Sequence, residues 1–271
     1  MKRLAIITGG GGMNCAYSSG FLCGLAKEKN ITSPFLMIGS SGSAGNIAYY
    51  VAGQFEELKD IWMKLLYNKK FIDLRRKKKR VDVDYLIDTI FKKIKPLNIK
   101  KLKKSTTKIL ISATEIKTGK LNYFNLKENC LEVLRATAAI PFFYGKAVEI
   151  NSIKYFDGDP GGVLISNMKR AKKEKPTHIL IIDDTPKPLL VHSFWKLISA
   201  FSPPLLQEKI KEHIEGDILS RHFSSKRTKL ILPRNKLSIN PLNNKRSRIK
   251  KTFNAGYKDA KKFDIEKFLA I

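Results

Sequence analysis

The chain has 271 residues, of which 43% are hydrophobic, enough for a packed core and too many for a disordered polymer. Lysine and arginine number 52 against 24 acidic residues, and the net charge of +28 directs the chain toward anionic partners such as phospholipid surfaces or nucleic acids. Three cysteines without metal-ligand spacing, and no apolar run of ~18 residues, exclude a disulfide framework, a zinc site and a membrane-spanning helix.

The first apolar run, Leu4 to Thr8, is short and is followed by glycines. It is expected to be a buried strand rather than the core of a secretion signal. With no export signal, Cys15, Cys23 and Cys130 are expected to be reduced thiols in a cytosolic protein, with Cys23 in the core. The turn Thr8-Gly9-Gly10-Gly11-Gly12-Met13-Asn14 leads into a helix whose packed face carries Ala16, Phe21, Leu22 and Leu25. Phe35 to Ile38 reads as the next strand, and the glycine-serine stretch from Ile38 to Asn46 follows it.

Phe55, Leu58, Trp62, Leu65 and Leu66 share one helical face, and so do Leu86, Ile87, Ile90, Phe91 and Ile94 in a second helix. Between them, the basic run Arg75 to Arg80 reads as an exposed loop. Lys108 to Ala113, Leu121 to Phe124, His178 to Ile182 and Lys229 to Leu232 complete the expected strands. Several strands are continuously apolar, as strands covered on both faces are, and their alternation with helices predicts an α/β sheet. The apolar segment Ser193 to Leu206 reads as a core helix and turn, with a lid or membrane-touching surface as the alternative. Two further basic runs lie at Lys100 to Lys104 and Lys245 to Lys251. None of the runs has interleaved aromatics, and no nucleic-acid-binding motif accompanies them, so nucleic acid is disfavoured.

Two glycine-rich turns can carry chemistry. A dinucleotide fingerprint at the first would need glycine where Cys15 stands, and a phosphate-binding P-loop would need a Gly-Lys-Ser/Thr ending. An oxyanion hole needs only glycines whose N–H groups converge on a developing negative oxygen. At the second, Gly39-Ser40-Ser41-Gly42-Ser43 is a nucleophile-elbow pattern with serine at its last small position. A shifted frame would make Ser43 the nucleophile, and a turn without chemistry also fits. A serine needs a base. None of His178, His192, His213 and His222 stands out, His192 being the least unsuitable. The better carboxylate is Asp157, which closes a hairpin-like apolar run and enters a glycine-rich loop.

Taken together, these residues resemble the patatin-like phospholipases over most of the chain. Gly10-Gly11-Gly12-Met13 with Gly20-Phe21-Leu22 is similar to that family's opening turn and helix. The segment Ile38 to Asn46 with Ala52-Gly53-Gln54 is similar to its elbow and following helix. Phe71 to Leu74 and Val83 to Leu86 resemble a linking segment of a bacterial subgroup. Ser112-Ala113-Thr114-Glu115 with Thr118-Gly119, and Leu134 to Phe143, resemble the segments that precede the family's aspartate.

The resemblance implies one patatin-like domain over residues 1–271, a three-layer α/β/α fold with a mostly parallel central sheet. Its landmarks are the oxyanion turn at 9–14, the elbow at 39–43 and the Asp-Gly loop at 157–162. It implies hydrolysis of phospholipid or other lipid esters by a Ser41–Asp157 dyad without histidine. Gly10, Gly11, Gly12 and Met13 then form the oxyanion hole, with Gly39, Gly42 and Ser43 as the elbow's small residues. No metal or organic cofactor is implied. The expected protein is cytoplasmic or peripheral at a membrane, with a lipid ester as substrate and an anionic membrane surface as a further partner. The alternative is a silent member that binds lipid. Asn14 stands where the family has arginine, Cys15 and Ser43 where it has glycine, and Asp159 where it has a second glycine. Gly161-Gly162-Val163-Leu164 replaces a proline-containing run.

Overall fold

A computed structural model describes residues 2–158, 164–184, 225–235 and 237–271, together with a few isolated positions between 196 and 211. His192, His213, His222, Asp159, the run at 161–163 and nearly all of the 193–206 segment lie outside the described residues.

Two parallel strands form first, β1 (Leu4–Thr8) and β2 (Leu36–Gly39), and every residue of both is buried. The described sheet has eight strands. It adds β3 (Lys108–Glu115), β4 (Leu121–Asn125), β5 (Val148–Ile150), β6 (Ile153–Phe156), β7 (His178–Ile182) and β8 (Thr228–Ile231). The order is β5-β6-β3-β2-β1-β7-β8, with β4 paired to β3. The β3-β2-β1-β7-β8 pairings are parallel, and β4, β5 and β6 pair antiparallel. The sequence places the longer strands within a residue or two, marks β6 only as the hairpin-like run before Asp157, and does not mark β5. Those two span three and four residues, include Glu149 and Lys154, and leave Ile153 exposed, so they carry no continuous apolar run.

Alternation along β1 explains the layers. Leu4 and Ile6 join one core, and Ala5 and Ile7 the other. The first core is covered by α1 (Ala16–Lys29), α2 (Gly42–Val51) and α7 (Arg246–Lys262), through residues such as Tyr17, Phe21, Ile47 and Phe253. The second is covered by α6 (Leu164–Lys173), where Leu164, Met168 and Ala171 meet Ile7, Ile38 and Ile181. Helices on both faces make this a three-layer α/β/α fold. Cys23 is buried in the first core, and burial pushes its thiol pKa up to about 12. No described helix is long and apolar enough to cross a membrane.

The helical stretch α3 (Phe55–Asp60) continues as a π-helical turn, Ile61–Leu65. The next helix, Tyr85–Ile94, is π-helical throughout. It buries Ile87, Ile90 and Phe91, but Ile94 is exposed, against the expected apolar face. The i→i+5 bonds of a π-helix widen each turn, so residues spaced for a 3.6-residue period drift off one face. Between these helices the 75–80 run is a loop, as the sequence indicates.

An ion cluster ties this helix to α5 (Cys130–Thr137). Buried Arg135 reaches Asp84 at 2.5 Å and Asp88 at 2.9 Å. Asp84 also accepts from Lys79 at 2.7 Å and Tyr144 at 2.5 Å, and pairs with Lys146 at 3.1 Å. Burial alone would raise the Asp84 pKa, but the bonds from Lys79, Tyr144 and Lys146 outweigh it and hold the carboxyl well below its ordinary range. A depressed folded-state pKa contributes stability in full above the unfolded value of about 3.9, and this is lost as pH falls toward the folded value. The thermal midpoint is therefore expected to fall between pH 5 and pH 3 in part through Asp84. Asp84→Asn should cost about 2 kcal/mol at neutral pH and make that acid dependence shallower, as read by thermal unfolding across pH.

Candidate active site

Register along β3 brings the elbow and the aspartate together. Ile111 pairs with Gly39 on one edge and Phe124 on the other. Thr114 pairs with Leu121 and Phe156, so β6 lies on the same edge of β3 as β2. The two strands approach end to end, β2 parallel and β6 antiparallel to β3. Three residues of strand, roughly 10 Å, separate their last pairings. Ser41 leaves β2 and Asp157 leaves β6 into that gap. Ser41 Oγ donates to Asp157 Oδ2 at 2.8 Å.

Ser41 has φ 51° and ψ −133°, a left-handed backbone rare for a residue with a side chain. Such strain persists where the surroundings over-determine it. Here the Ser41 N–H donates to Thr137 Oγ1 at 2.8 Å, and that hydroxyl donates to Ser112 O at 2.7 Å. The same α5 end holds the aspartate loop, since Asp157 N donates to Ala139 O at 3.1 Å and Gly158 N to Thr137 O at 3.2 Å. Any β-carbon at Gly158 would lie 1.9 Å from Ser112 O. Only glycine lets the chain pass this close to β3.

The other two serines have different surroundings. Ser43 Oγ donates to Ser40 O and accepts from Thr8 Oγ1, each at 2.9 Å, and is fully buried. It serves as the elbow's last small residue and fastens the turn to β1. Ser40 is buried beneath the turn. The three serines of the sequence are thus not equivalent, and the structure brings Ser41 alone among them to Asp157 in its described contacts.

The first glycine turn is a short 3-10 helix, Gly12–Cys15, entered through Gly11 at φ 150° and Gly12 at φ 55°. Of the expected oxyanion donors, Met13 is engaged elsewhere, because its N–H donates to Pro241 O at 2.9 Å. The cause is a segment far along the chain, residues 237–244, that crosses the turn. Pro241 sits so close that a β-carbon on Gly12 would meet its carbonyl at 2.4 Å. Behind the turn, Asp184 accepts from Ser18 N at 2.9 Å and Ser18 Oγ at 2.8 Å, at the start of α1. It is fully buried, and that burial drives its pKa well up. Thr137, Asp184 and Pro241 were not singled out from the sequence. The signal for Asp184 is an acid pair that follows the apolar run Ile179 to Ile182; the other two have none. His178 is buried at the start of β7 with its ring on Phe268, a packing role.

Ser41, Gly12 and Met13 form part of the wall of a cavity. The remaining wall is largely apolar and includes Trp62, Leu66, Phe91, Leu134 and Leu242. Its Asn46 amide is satisfied internally, donating to Cys15 O at 2.9 Å and accepting from Trp62 Nε1 at 2.7 Å. The cavity therefore suits a hydrocarbon chain rather than a polar metabolite.

Residues 6–168 match the family model described as patatin-like phospholipase. The chain belongs to that family. The matched stretch holds Ser41 and Asp157 but not Pro241 or Asp184. The chain is 26% identical over 201 residues to the uncharacterized protein YjjU of Escherichia coli K12, covering 71% of this chain and 55% of YjjU. It thus spans about half the length of that curated relative. The crystal structure of VipD from Legionella pneumophila shares the fold, with a TM-score of 0.55 at 11% identity over 97% of this chain and 67% of VipD.

Proposed function

We propose that the chain is a serine hydrolase of lipid esters working through Ser41 and Asp157 without histidine. The observation that carries the reading is the 2.8 Å bond from Ser41 Oγ to Asp157 Oδ2 at the wall of an apolar cavity. Asp157 takes the Ser41 proton as Oγ attacks the ester carbonyl carbon. The carbonyl π bond becomes an oxyanion, received by the Gly11 and Gly12 amides. The intermediate collapses with loss of the alcohol, which leaves with the proton held by Asp157, and Ser41 is acylated. Asp157 then takes a proton from water, whose oxygen attacks the acyl carbon, and the fatty acid departs as Ser41 regains its proton. Gly10 frames the same turn, and the Met13 amide joins the donors when its bond to Pro241 opens. The reaction as written uses no metal or organic cofactor.

The test is a fluorophosphonate probe followed by peptide mapping, beside assays of fatty acid release from phospholipid and from a soluble short-chain ester. Label on Ser41 with ester hydrolysis is the expected result. Label on another serine, or none together with no acid release, would sink the reading.

A further inference from the structure

Three neighbouring segments contribute to the wall of the cavity beside Ser41, through Ile72 and Val81, Ala138 and Ile140, and Pro241 and Leu242. Among its lining, Ala138, Ile140, Pro241 and Leu242 are partly exposed. The first segment is a hairpin closed by the Ile72–Val81 bridge and by Asp73 N donating to Arg80 O at 2.9 Å. Val81 N donates to Phe143 O at 3.0 Å, which fixes the hairpin beside the turn at 140–143. Asn244 Nδ2 donates to Ile72 O at 2.9 Å, which fixes it beside the 241–244 segment.

These segments carry exposed apolar groups and unpaired cations together. Leu74 is 50% exposed and Phe142 is 54% exposed. Phe142 is held at φ 62°, a backbone region that aromatic residues rarely adopt. The hairpin tip runs from Arg75 to Arg80 without a break in positive charge. Arg75 pairs with Asp73, Arg76 with Asp82 and Lys79 with Asp84. Lys77, Lys78 and Arg80 are exposed and join no ion pair among the described residues. After the 241–244 segment, Lys245, Arg246 and Arg248 crowd the first turn of α7, which has no acidic residue. Cations at a helix N-terminus oppose the helix dipole, so helix stability does not account for them.

We propose that this patch, formed by the 73–80 hairpin, the 140–143 turn and the start of α7, docks the protein on an anionic lipid bilayer. Leu74 and Phe142 enter the headgroup layer while the cations pair with lipid phosphates. Nucleic acid would use the cations but leaves the exposed apolar pair without a role. An acidic protein partner leaves unexplained why the patch lies on the segments that line the cavity. The inference rests on the reading of Ser41 as a lipid-ester nucleophile, since docking through these segments would bring the cavity to its substrate.

The test is co-sedimentation with phosphatidylcholine vesicles made with and without phosphatidylglycerol, across salt concentrations. The proteins are the wild type, a Lys77→Gln/Lys78→Gln/Arg80→Gln variant and a Leu74→Ser/Phe142→Ser variant. The wild type should bind the phosphatidylglycerol vesicles far better, and less so at high salt. The charge variant should lose on the order of 100-fold, about fivefold for each surface cation. The apolar variant should lose about 10-fold with its salt dependence intact. Thermal unfolding confirms that each variant is folded, and both should hydrolyse a soluble short-chain ester as the wild type does. Wild-type vesicle binding by both variants overturns the proposal. So does binding of duplex DNA in place of vesicles. Failure of the wild type on the soluble ester counts against the catalytic reading instead, and leaves the vesicle result to decide docking by itself.

Discussion

Ser41→Ala should lower hydrolysis of a short-chain ester by at least about 10³-fold and abolish fluorophosphonate labelling, because it removes the hydroxyl that donates to Asp157. The thermal midpoint should stay within a few degrees of wild type, as the change removes one oxygen from a wall residue and leaves the Ser41 N–H bond to Thr137 in place. Asp157→Asn should have a similar effect on rate. Asparagine can still accept from Ser41 Oγ, so geometry survives while the base is lost. The two changes act on one proton transfer, so the double variant should be little worse than either single one. Label that survives Ser41→Ala and disappears in Ser43→Ala would refute the assignment. Ser43 is bonded to Thr8 and Ser40 at the base of the turn, so Ser43→Ala should retain labelling and lose some stability.

Gly158→Ala should be the most damaging single change that touches neither proposed reacting group. The added methyl would lie 1.9 Å from Ser112 O and 3.0 Å from Thr137 Oγ1, so the backbone next to Asp157 must move. A displacement of about 1 Å at a reacting group costs about 10²-fold. Overpacking at such a contact costs about 1–3 kcal/mol in stability. The loss should fall on kcat more than on KM, with slower probe labelling and a lowered thermal midpoint. Gly145→Ala is the control. Gly145 sits at φ 82° with nothing within 4 Å of an added β-carbon, so strain without collision should lower stability and leave kcat unchanged. Wild-type kcat in Gly158→Ala would mean that Asp157 is not positioned by this contact.

Much of the fold was legible because burial writes itself into runs of residue types. Leu4 to Ile7 and Ile179 to Ile182 are continuously apolar, which is what a strand covered on both faces requires, and both lie in central parallel strands. The short strands β5 and β6 lacked that signature, since they span three and four residues at one end of the sheet and carry charge. Ile94 misled because its spacing fits an α-helix while the chain there winds as a π-helix. Within the site, local pattern found the two glycine turns and the Asp-Gly loop. It could not find Thr137, whose role depends on where a helix ends in space, nor Pro241, which meets Met13 across more than two hundred residues.

The sequence by itself therefore determined the class of fold, the two turns and the small set of residues able to do chemistry at them. The family resemblance pointed to Ser41, but the physical difference between it and its neighbouring serines belonged to the tertiary structure. Ser41 and Ser43 fit elbow frames of comparable quality, and no spacing separates them. The separation comes from two strands ending on one edge of β3, which sets Ser41 against Asp157 at 2.8 Å and turns Ser43 toward Thr8. Strand register is a long-range property of hydrogen bonding, and no local stretch of chain encodes it.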